Sequence, residues 1–158
     1  MSTVAIIDYK LCNLHSVKAG VEKCGVSAII TDNTKDLRDV SHIILPGVGS
    51  FADAMRNLRE MKLDQAIRYS VLDLKIPFLG ICLGMQLMAT RGEEGGETEG
   101  LGLIEGDVIR LQATNPKERI PHIGWNEVKI EKESPLLTEI PSDRDFYFVH
   151  GYHFDVKN

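Results

Sequence analysis

A chain of 158 residues, 43% hydrophobic and 26% charged, has the size and composition of one globular domain able to bury roughly 70% of its unfolded surface. A formal net charge of −5 with no Lys/Arg cluster argues against nucleic acid or an anionic membrane as partner, and no apolar run approaches the ~18 residues of a membrane span. The opening MSTVAIIDYK reaches Asp8 too early for a signal peptide, and three cysteines without a C-x-x-C pair suit a reducing, cytoplasmic compartment.

The predicted elements alternate. VAIIDY (4–9) reads as a first strand. Asn13 is a good N-cap, after which Leu14, Val17, Val21 and Cys24 fall on one helical face, and Gly25 is placed to end that helix. Cys24 on this apolar stripe is expected to be a small packed residue. SAIIT (27–31) is a second strand, followed by a short helix around Lys35 to Val40, and HIILPG (42–47) is a third strand. Ser50 and Asp53 form an [ST]-x-x-[DE] start signal ahead of an apolar stripe of Phe51, Ala54, Met55 and Leu58. A further helix, about Asp64 to Leu74, leads into the apolar run Pro77, Phe78, Leu79 and Ile81. Strands alternating with helices predict a doubly wound, mainly parallel α/β sheet.

Beyond Arg91 the pattern changes. GEEGGETEG (92–100) reads as an exposed, acidic loop. The strand-like runs 107–112, 126–132 and 145–154, separated by prolines, suggest antiparallel hairpins added to the parallel sheet within one domain spanning 1–158.

Chemistry concentrates at PFLGICLGMQ (77–86). Gly80, Cys82 and Gly84 form G-x-C-x-G at a strand-to-helix junction, the spacing of a nucleophile elbow, in which small neighbours permit a sharp turn that presents the nucleophile. Leu83, Leu87 and Met88 continue at helical spacing, and a helix N-terminus favours a thiolate over a thiol. The Leu83 N–H would then point at a developing oxyanion. LPGVGSFADA (45–54) admits three readings. Gly47, Gly49 and Ala52 match a dinucleotide fingerprint, but on the third strand rather than the first. The loop amides, Val48 among them, suit a second oxyanion donor. A tight turn without ligand is the plainest reading. Trp125 and Tyr147, on their own, read as core aromatics of the hairpin layer.

PGVGSF, GICLGMQL, GLGLIEGDVIRL, PHIGWNEV and FYFVHGYHF, in this order, resemble the class I glutamine amidotransferases, most closely the glutaminase subunits of imidazole glycerol phosphate synthases. The resemblance implies that Cys82 attacks the carboxamide of L-glutamine, with Val48 and Leu83 amides as an oxyanion hole that needs rearrangement. It implies that Gly49, Gln86, His150, Gly151 and Tyr152 hold the amino-acid portion, and that neither metal nor cofactor takes part. Ammonia would pass to a cyclase subunit with a (β/α)8 barrel in a heterodimer, with Asn13 and Trp125 at the interface.

Departures from the family pattern keep other functions in view. Lys10 and Cys12 stand where the family has glycines in DYGxGNL, and Gly151 where this branch often has serine. The family's triad ends in a His-Pro-Glu segment beyond the position of Tyr152, and the 158 residues contain none, which reads as a C-terminally incomplete chain without glutamine turnover. His153 and Asp155 imitate that spacing, but the resemblance puts them before the triad segment. A paralogous subunit for surface-sugar amidination and a catalytically dead binding module are the alternatives.

Overall fold

The computed structural model describes residues 2–116 and 118–157, which group into two compact units, 1–109 with 154–158 and 110–153. In the first unit, β1 (Thr3–Ile7), β2 (Ser27–Thr31), β3 (His42–Gly47) and β4 (Phe78–Cys82) form a parallel sheet in the order β2-β1-β3-β4. Alternation along the strands divides the core. On one face Val4, Ile6, Ala28 and Ile44 pack against Leu14, Val17 and Val21 of helix α1 (Leu14–Lys23). On the other, Ala5, Ile7, Ile43 and Leu45 are wholly buried. Helices α2 (Phe51–Glu60) and α3 (Leu63–Leu72) bring buried stripes of their own, Phe51, Ala54, Met55 and Leu58 from α2 and Leu63 and Ile67 from α3. Helices on both faces of a parallel sheet make the doubly wound α/β fold that the sequence predicts.

Local signals at the helix ends act as read. Asn13 Oδ1 accepts from the Ser16 N–H at 3.3 Å, and Gly25 closes α1 with φ +77°. Ser50 Oγ accepts from the Asp53 N–H at 3.3 Å and starts α2. The short helix after β2 is a single 3-10 turn over Asp36–Arg38.

Cys24 departs from expectation. It lies one residue past α1, at the C-cap, and is exposed, because the helix ends at Lys23 before its stripe includes Cys24. Helix α4 (Leu83–Gln86) is also shorter than the spacing of Leu83, Leu87 and Met88 suggests. The carbonyls of Leu87, Met88 and Ala89 accept hydrogen bonds from Leu101, Leu103, Ile104 and Gly102 instead of from a further helical turn.

The 92–100 stretch is docked, not loose. β5 (Arg91–Gly92) pairs antiparallel with β6 (Thr98–Glu99) and parallel with β7 (Gly106–Arg110), with β10 (Tyr152–Val156) on the far side of β7. Gly92 is buried against the Phe51 ring, where a Cβ would come within 2.7 Å of it. Across the β5–β7 pair, Arg91 grips Asp107 in a two-point ion pair, Nε to Oδ1 at 3.0 Å and Nη2 to Oδ2 at 3.3 Å. That guanidinium holds the Asp107 carboxyl below its ordinary value. A depressed carboxyl stabilises the fold above the unfolded-state pKa of ~3.9 and loses that contribution as pH falls through the folded value. Asp107→Asn is therefore expected to melt earlier than the unsubstituted chain near pH 7. The gap should close on acidification below about pH 3.9, as thermal melts across pH would read directly.

In the second unit, β8 (His122–Val128) and β9 (Arg144–His150) form a two-stranded antiparallel ribbon, pairing His122 with His150 and Trp125 with Tyr147. β8 begins four residues earlier than the sequence suggests. The run read as 145–154 is broken at Gly151 into β9 and β10. Trp125 and Tyr147, expected in the core, are 72% and 56% exposed, their rings edge to face at 5.6 Å.

Candidate active site

The site is built where β3 and β4 end side by side, with Gly47 opposite Cys82 in the register. Cys82 has φ 53° and ψ −115°, a backbone conformation that side-chain-bearing residues rarely adopt, and its side chain is exposed. Strain of this kind persists only where the surroundings impose it, and here the two flanking glycines do so. A Cβ on Gly80 would press on the Met85 and Gly84 backbone, and one on Gly84 would run into the Leu45 carbonyl oxygen. The chain can thus turn from β4 into α4 within one residue, leaving the thiol at the tip.

Two backbone donors flank the thiol. Leu83 is the first residue of α4, so its N–H has no acceptor within the helix. Val48 follows Gly47 in an exposed loop, and Gly49 takes φ +121°. The Val48 N–H, however, donates to the Leu11 carbonyl at 2.9 Å. Of the two, only the Leu83 N–H is left without this kind of loop partner among the described residues. Helix α4 is only four residues long, so its macrodipole at Cys82 is small.

Gln86 closes α4 one turn beyond Cys82 and is half-buried. Asn13 caps α1 and is exposed. These residues share the first unit with Cys82, Val48, Leu83 and Gly49; Trp125, His150, Gly151 and Tyr152 fall in or at the edge of the second, 110–153. There His150 Nδ1 lies 2.9 Å from the Tyr152 carbonyl oxygen, which can only accept, so Nδ1 carries the proton. His150 Nε2 then accepts from His122 Nδ1 at 3.1 Å. His122 is thus a hydrogen-bonding partner of His150 and stacks on Phe148 at 5.2 Å.

Three contributors escaped the sequence reading. Leu11 supplies the carbonyl that holds Val48. Glu94, inside the supposed exposed loop, is half-buried; its Oε2 accepts from the Phe51 N–H at 3.3 Å and its main-chain oxygen from Ala52 at 3.2 Å. Burial pushes its carboxyl above the ordinary value. Tyr9 is completely buried beside Gly47, and burial, with the Cys12 and Cys82 thiols nearby, raises its phenol. Charge, loop composition and an unremarkable strand end hid all three. Among the described residues, no group of three or more His, Cys, Asp or Glu side chains is placed to hold a metal ion.

A strained, glycine-flanked cysteine turn thus stands at the carboxyl end of a doubly wound α/β sheet. The chain belongs to the class I glutamine amidotransferase family, whose description, "Glutamine amidotransferase class-I", matches residues 5–158. It is 48% identical over 155 residues to imidazole glycerol phosphate synthase subunit HisH 1 of Campylobacter jejuni subsp. jejuni serotype O:23/36 (strain 81-176), covering 98% of this chain and 77% of that protein. It is 44% identical over 163 residues to subunit HisH 2 of Nitrobacter winogradskyi, covering 100% and 77%. Among solved structures, a glutamine amidotransferase aligns with TM-score 0.72 at 18% identity over 96% of this chain and 73% of its own. A glutamine amidotransferase from Thermotoga maritima aligns with TM-score 0.67 at 23% identity over 98% and 63%. The structural likenesses speak for the fold; the sequence relatives for the family.

Proposed function

We propose that this chain carries the Cys82 part of a glutaminase site, which hydrolyses L-glutamine to glutamate and ammonia once a His-Pro-Glu segment supplies the base. The ammonia passes to a cyclase partner that makes imidazole glycerol phosphate in histidine biosynthesis. The observation that carries the reading is the Cys82 elbow, φ 53°, set against the Gly47–Gly49 loop. The relatives named as subunits of that synthase support the pathway. The Cys82 sulfur adds to the carboxamide carbon, the oxygen takes up negative charge opposite the Leu83 and Val48 amides, and the C–N bond breaks to release ammonia. Water then resolves the thioester. Gly49, Gln86, His150, Gly151 and Tyr152 are assigned to the amino-acid portion of glutamine, and Asn13 and Trp125 to the (β/α)8-barrel partner in a cytoplasmic heterodimer.

Because the Val48 N–H is engaged by Leu11, glutamine hydrolysis by a version extended through a His-Pro-Glu segment should be slow in the lone subunit and rise with a ligand-bound cyclase. Binding energy for the partner then favours the loop state with Val48 released. Equal turnover with and without the ligand-bound partner would count against this coupling.

The test of the site is chemical. A diazo-ketone glutamine analogue added to the folded chain is expected to alkylate Cys82 alone, read by peptide mapping. Cys24 is exposed too, so it serves as an internal control for bare accessibility. Incorporation at Cys24 in preference to Cys82 would overturn the assignment.

A further inference from the structure

Tyr9 is fully buried, and its hydroxyl is a buried side-chain polar atom with no hydrogen-bond partner among the described residues. Such an orphan is uncommon and calls for a reason, since an unmet buried donor destabilises the fold that holds it. Its position is fixed: the Tyr9 carbonyl accepts from Asn57 Nδ2 of α2 at 3.0 Å, and the hydroxyl lies where a Cβ on Gly47 would collide with it.

Gly47 carries the first half of the peptide whose second half is the Val48 N–H. That N–H points to Leu11, which follows β1, and β3 lies between β1 and β4. In a trans peptide the N–H and C=O point opposite ways, so the Gly47 carbonyl faces the β4 side, where Cys82 stands. Presenting the Val48 N–H to an oxyanion on Cys82 requires this peptide to turn over, and a glycine at 47 permits the backbone change. Turning it over brings the Gly47 carbonyl to the β1 side, facing the Leu11 carbonyl. Two acceptors then oppose one another, one of them on the buried Gly47, which is unfavourable without a donor. Among the described residues, the buried side-chain donor that lies against Gly47 without a partner is the Tyr9 hydroxyl.

We propose that Tyr9 is a positioning residue, its buried hydroxyl held in reserve to donate to the Gly47 carbonyl when the Gly47–Val48 peptide turns its N–H toward Cys82. The inference rests on the glutaminase reading for its purpose, though not for its geometry. The resting loop satisfies Val48 and leaves Tyr9 unmet; the turned loop satisfies Tyr9 and leaves Val48 for the substrate. One hydrogen bond is exchanged for another, which keeps the two states close in free energy.

Amide hydrogen exchange at Val48, followed by NMR in the 158-residue chain, reads the turned population, because an N–H released from Leu11 at this exposed loop meets water. Tyr9→Phe keeps the ring and removes the donor, so Val48 exchange should slow about five-fold, the equivalent of one net hydrogen bond. The melting temperature should not fall. A merely structural role predicts the opposite sign, since loosened packing speeds exchange; unchanged or faster exchange in Tyr9→Phe overturns the proposal. Should that variant fail to fold, 3-fluorotyrosine in the unsubstituted chain strengthens the phenol as a donor and should quicken Val48 exchange. No change there also overturns it. Analogue labelling of Cys82 in the unsubstituted chain separates the two claims. Lost labelling sinks the glutaminase reading, while intact labelling with unaltered Val48 exchange sinks the Tyr9 role alone.

Discussion

Glutamate release by a polypeptide of these 158 residues is expected to run about 10²–10⁴-fold below that of the same chain extended through a His-Pro-Glu segment, each with cyclase present. In the proposed reaction Cys82 needs a group that takes its proton and later returns one to the departing ammonia. His42 cannot do this. It opens β3, while Cys82 stands opposite the last residue of that strand, roughly 16 Å away at about 3.3 Å per residue. His15 lies exposed on α1, and both ring nitrogens of His150 are engaged, by Tyr152 and His122. Cys82 alkylation does not need a base in the same way, so labelling should persist in the short polypeptide while turnover does not. Comparable rates for the two polypeptides would show that His153 or another residue present serves as the base.

Gly84→Ala should be the most damaging single methyl group that can be added near the site. The new Cβ would run into the Leu45 carbonyl oxygen and lie 2.7 Å from its carbon. Leu45 is completely buried in β3, paired with β4 at Gly80, so no flexible side chain can yield. Overpacking against fixed backbone is expected to cost on the order of 3 kcal/mol or more. In a chain of this length that is a fall in melting temperature of roughly 6–12 °C. Gly20→Ala supplies the contrast. It lies in the interior of α1 with nothing within 4 Å of a Cβ, so the same chemical change should raise stability by about 0.5–1 kcal/mol, the helix-propensity difference. If thermal melts moved both variants in the same direction, the close approach of α4 to β3 would not be the reason Gly84 is glycine.

Where the sequence was readable, the signal was local. β1, β2, β3, α2 and α3 stand within a residue or two of the expected bounds, because period-2 and period-3.6 patterns and the caps at Asn13 and Ser50 act over a few residues. Errors arose where a distant segment intervened. The spacing of Leu83, Leu87 and Met88 promised a longer helix, but residues 101–104 capture the carbonyls that its next turn would use. At Cys24 the apolar spacing outran the helix, although Gly25 already marked its end. The candidate site was legible as a glycine-flanked cysteine. Its resting state was not, since the Leu11–Val48 bond joins two loops 37 residues apart, and no pattern in either announces it.

The two-stranded ribbon β8–β9 gives the protein a built-in optical reporter. Trp125 is the chain's single tryptophan and is 72% exposed, so intrinsic emission arises from one solvated indole on one surface. Its spectrum should lie at long wavelength and be readily quenched by acrylamide. Tyr147, edge to face across the ribbon at 5.6 Å, is near enough to pass excitation to it. Anything that covers this face would shift the emission to the blue and shield it from quencher, so docking can be titrated without label, tag or turnover.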